Sequence, residues 1–317
     1  MINSTTYFFT IPLIIGFLLD LIIGDPYRMP HPIKLFGHII SYCELKFNKG
    51  NYKVYKGLIV VFCLISLTWL IFSSMFNFLQ PYLLAKCMIA TVFVFYGLAN
   101  KSLITEGLKV ERQLKVNGLP AARKQLSYIV GRDTTTLTEN QIRIGVLETL
   151  SENLSDGIVA PLIYYFIGGI PLMMTYKMIN TLDSMIGYKS VKYKDFGLLA
   201  ARIDDIANFI PARITALLMV LVTLNFRGLK FIFKYGHKHS SPNSGYPESA
   251  LAGILNCRFG GPNVYHGKTV FKPFIGDNNR TITSKCITKA CIVNVLVSII
   301  CAFILVLIKM YYNSAFA

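Results

Sequence analysis

Apolar residues run almost without interruption over 5–23, 57–79, 83–100 and 290–308. Each stretch approaches the roughly 20 helical residues needed to cross a hydrocarbon core of about 30 Å. A fifth stretch, 208–226, opens with NFIPAR and continues as ITALLMVLVTL. A sixth, 158–179, is equally apolar but broken by Pro161, Gly168–Gly169 and Pro171. That pattern suits a kinked helix or a re-entrant pair of half-helices, tolerated where protein or water shields the backbone. The pattern therefore predicts an all-α, polytopic integral membrane protein with five or six apolar helices. Residues 1–317 are expected to form one membrane-embedded domain.

The polar segments between these stretches are 24–56, 101–157, 180–207 and 227–289, with 6, 8, 4 and 10 Lys+Arg. The short link 80–83 carries none, so it is expected to face outward, with 24–56 and 101–157 inside. If 158–179 spans, 180–207 lies outside and 227–289 returns inside; if it is re-entrant, both assignments reverse. Within the loops, 102–129 and 140–155 read as amphipathic helices, with Ile142, Val146, Leu147 and Leu150 at helical spacing. Segment 227–289 is rich in Gly, Pro and Asn and reads as irregular, ordered loop. No sheet is expected, and no internal repeat is evident.

Composition agrees with the pattern. Hydrophobic residues make up 53% and charged residues 15% of the 317, against roughly 25% charged in soluble domains, and mean hydropathy is +0.50. This excludes a disordered chain and disfavours an ordinary soluble enzyme. The formal charge of +16 would suggest nucleic acid on a soluble protein. On an apolar one it fits basic loops facing the cytoplasm and anionic lipid. No nucleic-acid partner is expected, and the location implied is the cell membrane, multi-pass. The seven cysteines are an odd number without a C-x-x-C pair, so neither a disulfide framework nor a zinc site is indicated. The N-terminus MINSTTYFFT has no basic residue before its apolar stretch, a poor fit to a cleavable signal peptide.

Acidic residues are scarce, so their placement is informative. Seven of sixteen fall within 148–205: Glu148, Glu152, Asp156, Asp183, Asp195, Asp204 and Asp205. Glu148, Glu152 and Asp156 are spaced i, i+4, i+8 along one helical face, where like charges repel unless a cation sits among them. A hard ion such as Mg²⁺ would supply that charge; a solvated acidic face is the plain alternative. Asn180, Asp183 and Ser184 share a helix face with Lys177 one turn earlier, and ionisable groups at membrane depth usually line a polar cavity. Asp204 and Asp205, followed by Asn208, resemble oxygen ligands for Mg²⁺ holding phosphates. Arg202 and Arg213 suit bidentate phosphate pairing. Near the N-terminus, GDPYRMPHP is a rigid turn able to present Asp25, Arg28 and His31. The stretch GGPNVYHGKT at 260–269 imitates a phosphate-binding loop but has the wrong glycine spacing, with no helix to follow.

Taken together, the motifs resemble the cobinamide-phosphate synthase family, membrane proteins of cobalamin (vitamin B12) biosynthesis. The matching stretches are LLDLIIGDPYRMPHPIKLFG (18–37), GRDTTTLTENQIRIGVLETLSENLSDGIVAPLIYY (131–165), YKMINTLDSMIGYKSVKYKDFGLLAARIDDIANFIPARITA (176–216) and SPNSGYPESALAGILNCRFGGPNVYHGK (241–268). The extreme termini and 57–130 are weakly marked. The order NTLDSMIGYK, AARIDD, PAR, GYPESALAG, GGPN is specific. One departure is Tyr246, where the family usually has tryptophan before Pro-Glu; the aromatic surface is kept.

The resemblance implies a carbon–nitrogen ligase. ATP-dependent amide ligation would join adenosylcobyric acid to aminopropanol phosphate (or aminopropanol), giving adenosylcobinamide phosphate. ATP and Mg²⁺ are the cofactors it implies. Corrinoid, amine and lipid bilayer are its partners, with other corrinoid-pathway enzymes as further candidates. On this reading Asp183, Asp204 and Asp205 hold Mg²⁺–ATP, with Glu152 and Asp156 assisting. Lys177, Arg202 and Arg213 neutralise phosphate, and Glu248 is a candidate base for the amine. Lys177 and Asp183 join Glu248 as catalytic candidates. Asp25, His31, Asn153, Asn180 and Asn263 complete the substrate-binding set. No standard ATP motif is present. The alternatives are a membrane transporter, suggested by the broken helix and its Asp and Asn, and a non-catalytic corrinoid-assembly scaffold.

Overall fold

The structure is a computed structural model that describes residues 4–25, 29–265 and 268–315. In chain order its helices are α1 (Ser4–Ile22), α2 (Pro32–Phe47), α3 (Lys53–Phe78), α4 (Leu83–Gly97), α5 (Asn100–Val116), α6 (Gly118–Leu126) and α7 (Glu139–Leu154). A π-helical turn, Ser155–Val159, leads into α8 (Ala160–Ile186), followed by α9 (Leu198–Ala207), α10 (Phe209–Thr223), α11 (Phe226–Tyr235) and α12 (Gly245–Leu255). Strands β1 (Phe259–Tyr265) and β2 (Lys268–Ile275) precede the last helix, α13 (Ser284–Ala315). The chain divides into two compact units, each discontinuous in sequence. One takes in the chain up to Ala99, Ala160–Asn208 and the chain from Ala302; the other is Asn100–Val159 with Phe209–Cys301.

Among the described residues, four helices are long and apolar enough to cross a membrane, and five if α9 and α10 count as one broken span. The expected all-α polytopic class therefore holds, and the protein is a multi-pass membrane protein. The apolar part of α1, Tyr7–Ile22, is among the shorter helices: at 1.5 Å per residue it reaches only about 24 Å.

In the first unit α8 is the hub, packing against α2, α3, α4 and α9. Its backbone leaves the helical region at Gly168 (φ −142°) and Gly169 (φ 64°). Gly169 therefore takes a left-handed conformation that a side chain would strain, and Pro171 follows without an N–H to give. Apolar composition makes this segment helical; the two glycines make it kink. Helix α2 starts at Pro32 behind His31, whose Nδ1 accepts the Ile33 N–H at 3.1 Å.

In the second unit α7 contacts α5, α6, α12 and β1, while α12 packs on α10, α11 and β2. A capping box fixes the start of α7: Gln141 N–H donates to Thr138 Oγ1 (3.4 Å), and Thr138 N–H to Gln141 Oε1 (2.8 Å). Buried amides tie in the ends: Asn294 Nδ2 donates to Leu150 O (3.1 Å) and Asn100 Nδ2 to Ser298 Oγ (2.7 Å).

Two expectations fail: segment 227–289 is not irregular loop, and a sheet is present, the two-stranded β1–β2. Segment 227–289 is largely regular, because α11, α12 and the antiparallel β1–β2 hairpin occupy it. Helix α12 is buried along nearly its whole length, so it has no polar face to produce an amphipathic signal. The glycines and proline of β1 belong to a bulged strand, with Gly261 opposite Lys272 and the register shifting between Phe259 and Gly261. A hairpin here also removes any strand–loop–helix arrangement, as the rejected phosphate-loop reading requires.

Candidate functional site

The candidate residues collect into two polar clusters, one in each unit. In the first unit, Asn180 and Asp183 lie on the last turns of α8, and Asp204 and Asp205 on α9. Asp204 is 9% exposed, and its Oδ1 has no hydrogen-bond partner. Asp183 and Asp205 add negative charge around it, and the Asn180 and Asn208 amides lie alongside. Asn208 is held from behind: Tyr176 Oη donates to its Oδ1 at 2.8 Å. Tyr164 stacks on Tyr176 with ring centroids 4.8 Å apart and donates to Ala207 O at 3.0 Å. These two tyrosines of α8 thus lock the end of α9. Gly187 closes the other side. A Cβ there would stand 1.9 Å from Asp183 Oδ1, so only glycine lets that carboxylate fold back over the helix end. Lys177 is buried on the same helix. The charges of Arg202 and Lys189 reach Asp205.

Among the described residues, no group of three or more His, Cys, Asp or Glu side chains is placed to hold a metal ion unaided. Mg²⁺, however, usually takes one or two carboxylates and completes its shell with water and substrate phosphates. Asp183 and Asp204, with a buried carboxylate oxygen lacking a donor, fit an ion of that kind.

The second cluster is centred on α7. Glu148 is 4% exposed. Its Oε2 pairs with the Arg132 guanidinium, and its Oε1 accepts the Gly260 N–H at 3.0 Å. Gly260 turns that N–H inward at φ 79°, where a Cβ would lie 2.2 Å from Pro273 O. Arg132 is set in place by Asn263 Oδ1 (2.7 Å), and the neighbouring Asp133 N–H donates to Val264 O (2.8 Å). One turn along α7, Glu152 Oε1 accepts from Ser244 Oγ at 2.8 Å.

Glu248, on the first turn of α12, is 2% exposed. Burial, together with the charges of Glu148 and Glu152, pushes its carboxyl well above the ordinary range. His239 Nε2 lies 4.0 Å from Glu248 Oε1, too far for a hydrogen bond. His239 Nδ1 accepts the Ser241 N–H at 3.0 Å, which leaves the proton of a neutral ring on Nε2, facing the carboxyl. Burial and then the Lys272 charge hold that imidazole below its usual pKa.

Several expected ligands have other work. His31 caps α2, and its Nε2 lies 3.2 Å from Asp25 Oδ1, so these two side chains serve each other. Arg28 lies outside the described residues. Arg213 is clamped between the Phe209 and Tyr246 rings, 3.5 and 4.0 Å from their centroids, and donates to Phe209 O, Asn243 Oδ1 and Pro242 O. Asn153 is exposed and bonds Thr149 O. Asn263 positions Arg132. Asp156 belongs to the π turn, which widens the helix and ends the i, i+4, i+8 face drawn from sequence. Sequence reasoning missed Arg132, His239 and Lys272; only the pairing of distant segments brings these to the glutamates.

Comparison with known proteins agrees with these motifs. The family described as CobD/Cbib protein matches residues 13–294. The chain belongs to the CobD/CbiB family. Its relatives include the "Cobalamin biosynthesis protein CobD" of Clostridium perfringens (strain 13 / Type A), 46% identical over 283 residues, covering 86% of this chain and 89% of that one. The protein of that name from Geobacter metallireducens is 44% identical over 271 residues, covering 82% and 84%. The "Cobalamin biosynthesis protein CbiB" of Salmonella paratyphi B is 40% identical over 281 residues, covering 85% and 88%. No solved structure matches. The family includes this chain over most of its length, so both clusters lie within the shared region.

Proposed function

We propose that this protein serves cobalamin biosynthesis as an ATP-dependent amide ligase, joining the free propionate of adenosylcobyric acid to aminopropanol phosphate (or aminopropanol). A carboxylate cannot acylate an amine unaided, because oxide would have to leave. Transfer of the terminal phosphoryl group of ATP to the propionate oxygen breaks its bond to ADP, which leaves, and gives an acyl phosphate. The amine nitrogen then attacks the carbonyl carbon, the C–O bond to phosphate breaks, and the nitrogen proton goes to a base.

What supports this reading is Glu248, a carboxyl 2% exposed on the first turn of α12, 4.0 Å from His239 Nε2 and inside the stretch that matches the family. In its ionised form such a carboxylate is a stronger base than an ordinary glutamate and takes a proton from an ammonium or amide-forming nitrogen more readily. His239 Nε2–H faces Glu248 across 4.0 Å, and Glu152 adds a second anion attractive to an ammonium. Arg132, itself set by Asn263, holds Glu148 beside them and sets the charge balance of the cluster. In the first unit, Asp183 and Asp204 would hold Mg²⁺, with Asn180 adding an amide oxygen and Lys177 a cation for phosphate. Bound Mg²⁺ would screen the phosphate charge during transfer. Asp205 stays with Arg202 and Lys189 at the edge of that cluster.

The test is an incubation of purified protein with adenosylcobyric acid, aminopropanol phosphate, ATP and Mg²⁺, followed by mass spectrometry. The expected result is a corrinoid gaining the mass of the amine less water. No mass gain with either amine overturns the proposal.

A further inference from the structure

The broken segment of α8 has no part in the proposed ligation, yet it lines a cavity of about 400 Å³ inside the first unit. Phe8 and Phe9 of α1, Tyr165, Phe166 and Gly168–Gly169 of α8, Lys86 of α4 and Lys309 of α13 form much of its wall. Among the described residues no Asp or Glu lines it. Lys309 Nζ stands 5.5 Å from the Phe9 ring centroid and 5.9 Å from that of Phe166; Lys86 Nζ stands 6.0 Å from Phe8 and donates to Gln80 Oε1. Among the described residues neither lysine is paired with a carboxylate. Non-helical backbone at membrane depth is found where it is buried in protein or borders a polar cavity. At Gly168–Gly169 it borders this one.

From these features we infer that the cavity binds the headgroup of an anionic phospholipid, the phosphodiester lying between Lys86 and Lys309 and the first methylenes against the aromatic rings. Charge complementarity selects the occupant: two cations and no anion face the space. Size agrees: the space lies at the small end of the usual 300–1,000 Å³ range for ligand pockets, enough for a headgroup but not for a whole corrinoid with its side chains. Position agrees. Lys86 lies on the first turn of α4, just after the link 80–83, and Lys309 lies near the C-terminal end of α13. Both lysines are therefore at helix ends, at headgroup depth.

The test uses the full-length protein in detergent, titrated with phosphatidylglycerol or phosphatidylcholine and read by native mass spectrometry. Phosphatidylglycerol should bind roughly tenfold or more tightly than phosphatidylcholine, as two cations near an anionic headgroup imply. The K86Q/K309Q variant should lose that preference and K86R/K309R should keep it, with an unchanged thermal midpoint confirming that both are folded. Equal binding of the two lipids, or a preference that survives K86Q/K309Q, overturns the inference. Displacement of phosphatidylglycerol by millimolar inorganic phosphate overturns it too, assigning the site to a free anion.

Discussion

The two polar clusters handle negative charge in opposite ways. In the second unit Glu148 is closed by the protein itself: a guanidinium on one oxygen and a backbone N–H on the other. Glu152 has Ser244 as a donor. In the first unit Asp204 is also buried, but one of its oxygens has no donor and the charges acting on it include two further aspartates. A buried carboxylate with its own cation is part of the fold. On the proposed reading, one without is a place for a cation that arrives with a substrate.

The largest expected effect comes from breaking the closed side. The R132M substitution leaves buried Glu148 without its hydrogen-bonded cation and with only the Lys272 charge acting on it, which costs up to about 3–5 kcal/mol. Thermal unfolding in detergent should show a marked fall in midpoint, and the E148Q/R132M double variant should recover most of it. An R132M protein as stable as wild type would mean that water reaches Glu148 and that the cluster is not closed.

The open side should respond in reverse. The D204N substitution removes like-charge repulsion, so the thermal midpoint should stay or rise. Turnover in the ligation assay should fall by about a hundredfold, the size of effect seen when one electrostatic contact to a transition state is lost. Excess Mg²⁺ should not restore it. Loss of stability with normal turnover would reverse the assignments of the two clusters.

How much of this could be read from sequence differs between fold and site. Long apolar runs are legible because a bilayer imposes length and composition together, and the kink at Gly168–Gly169 was marked by its own residues. The hairpin and α12 were not, since small apolar residues and glycines give no period when every face is buried. The acids stood out because they are few in a basic chain. Their partners did not: Arg132, His239 and Lys272 are ordinary members of basic loops until β1 and α12 fold against α7. His31 and Arg213 show the converse error. Residue type suggested ligands, but a following proline makes the one a helix cap, and two flanking rings make the other a clamp.

Titration sharpens the comparison further. Because the pKa of Glu248 is raised on folding, the folded state holds its proton where the unfolded chain has released it. Its contribution to stability is therefore complete below the ordinary value of 4.5 and is lost as pH rises toward the folded pKa. E248Q cannot ionise. The stability of wild type relative to E248Q should fall with pH above about 4.5, by up to about 1.4 kcal/mol per pH unit, and flatten once Glu248 is charged. Unfolding midpoints of both proteins measured across that range give the difference directly. A difference that does not change with pH would show an ordinary, solvated carboxyl and remove Glu248 as the base.

The smallest effect concerns the clamp that borders the second cluster. Arg213 lies between the Phe209 and Tyr246 rings and binds the carbonyl of Pro242 and the side chain of Asn243. Ser244, the donor to Glu152, lies in the same loop. Removing one ring with Y246A should cost about 0.5–1 kcal/mol of cation–π attraction and loosen the loop that presents Ser244. Y246W should restore the stacking, since indole is the better face for a guanidinium. In the ligation assay Y246A should alter the apparent KM for the amine a few-fold and leave the dependence on Mg²⁺ concentration unchanged, because the clamp serves the glutamates and not Asp183 and Asp204. If Y246A shifted the Mg²⁺ dependence instead, the two clusters would not be separable in function, and the contrast between a closed and an open set of acids would fail.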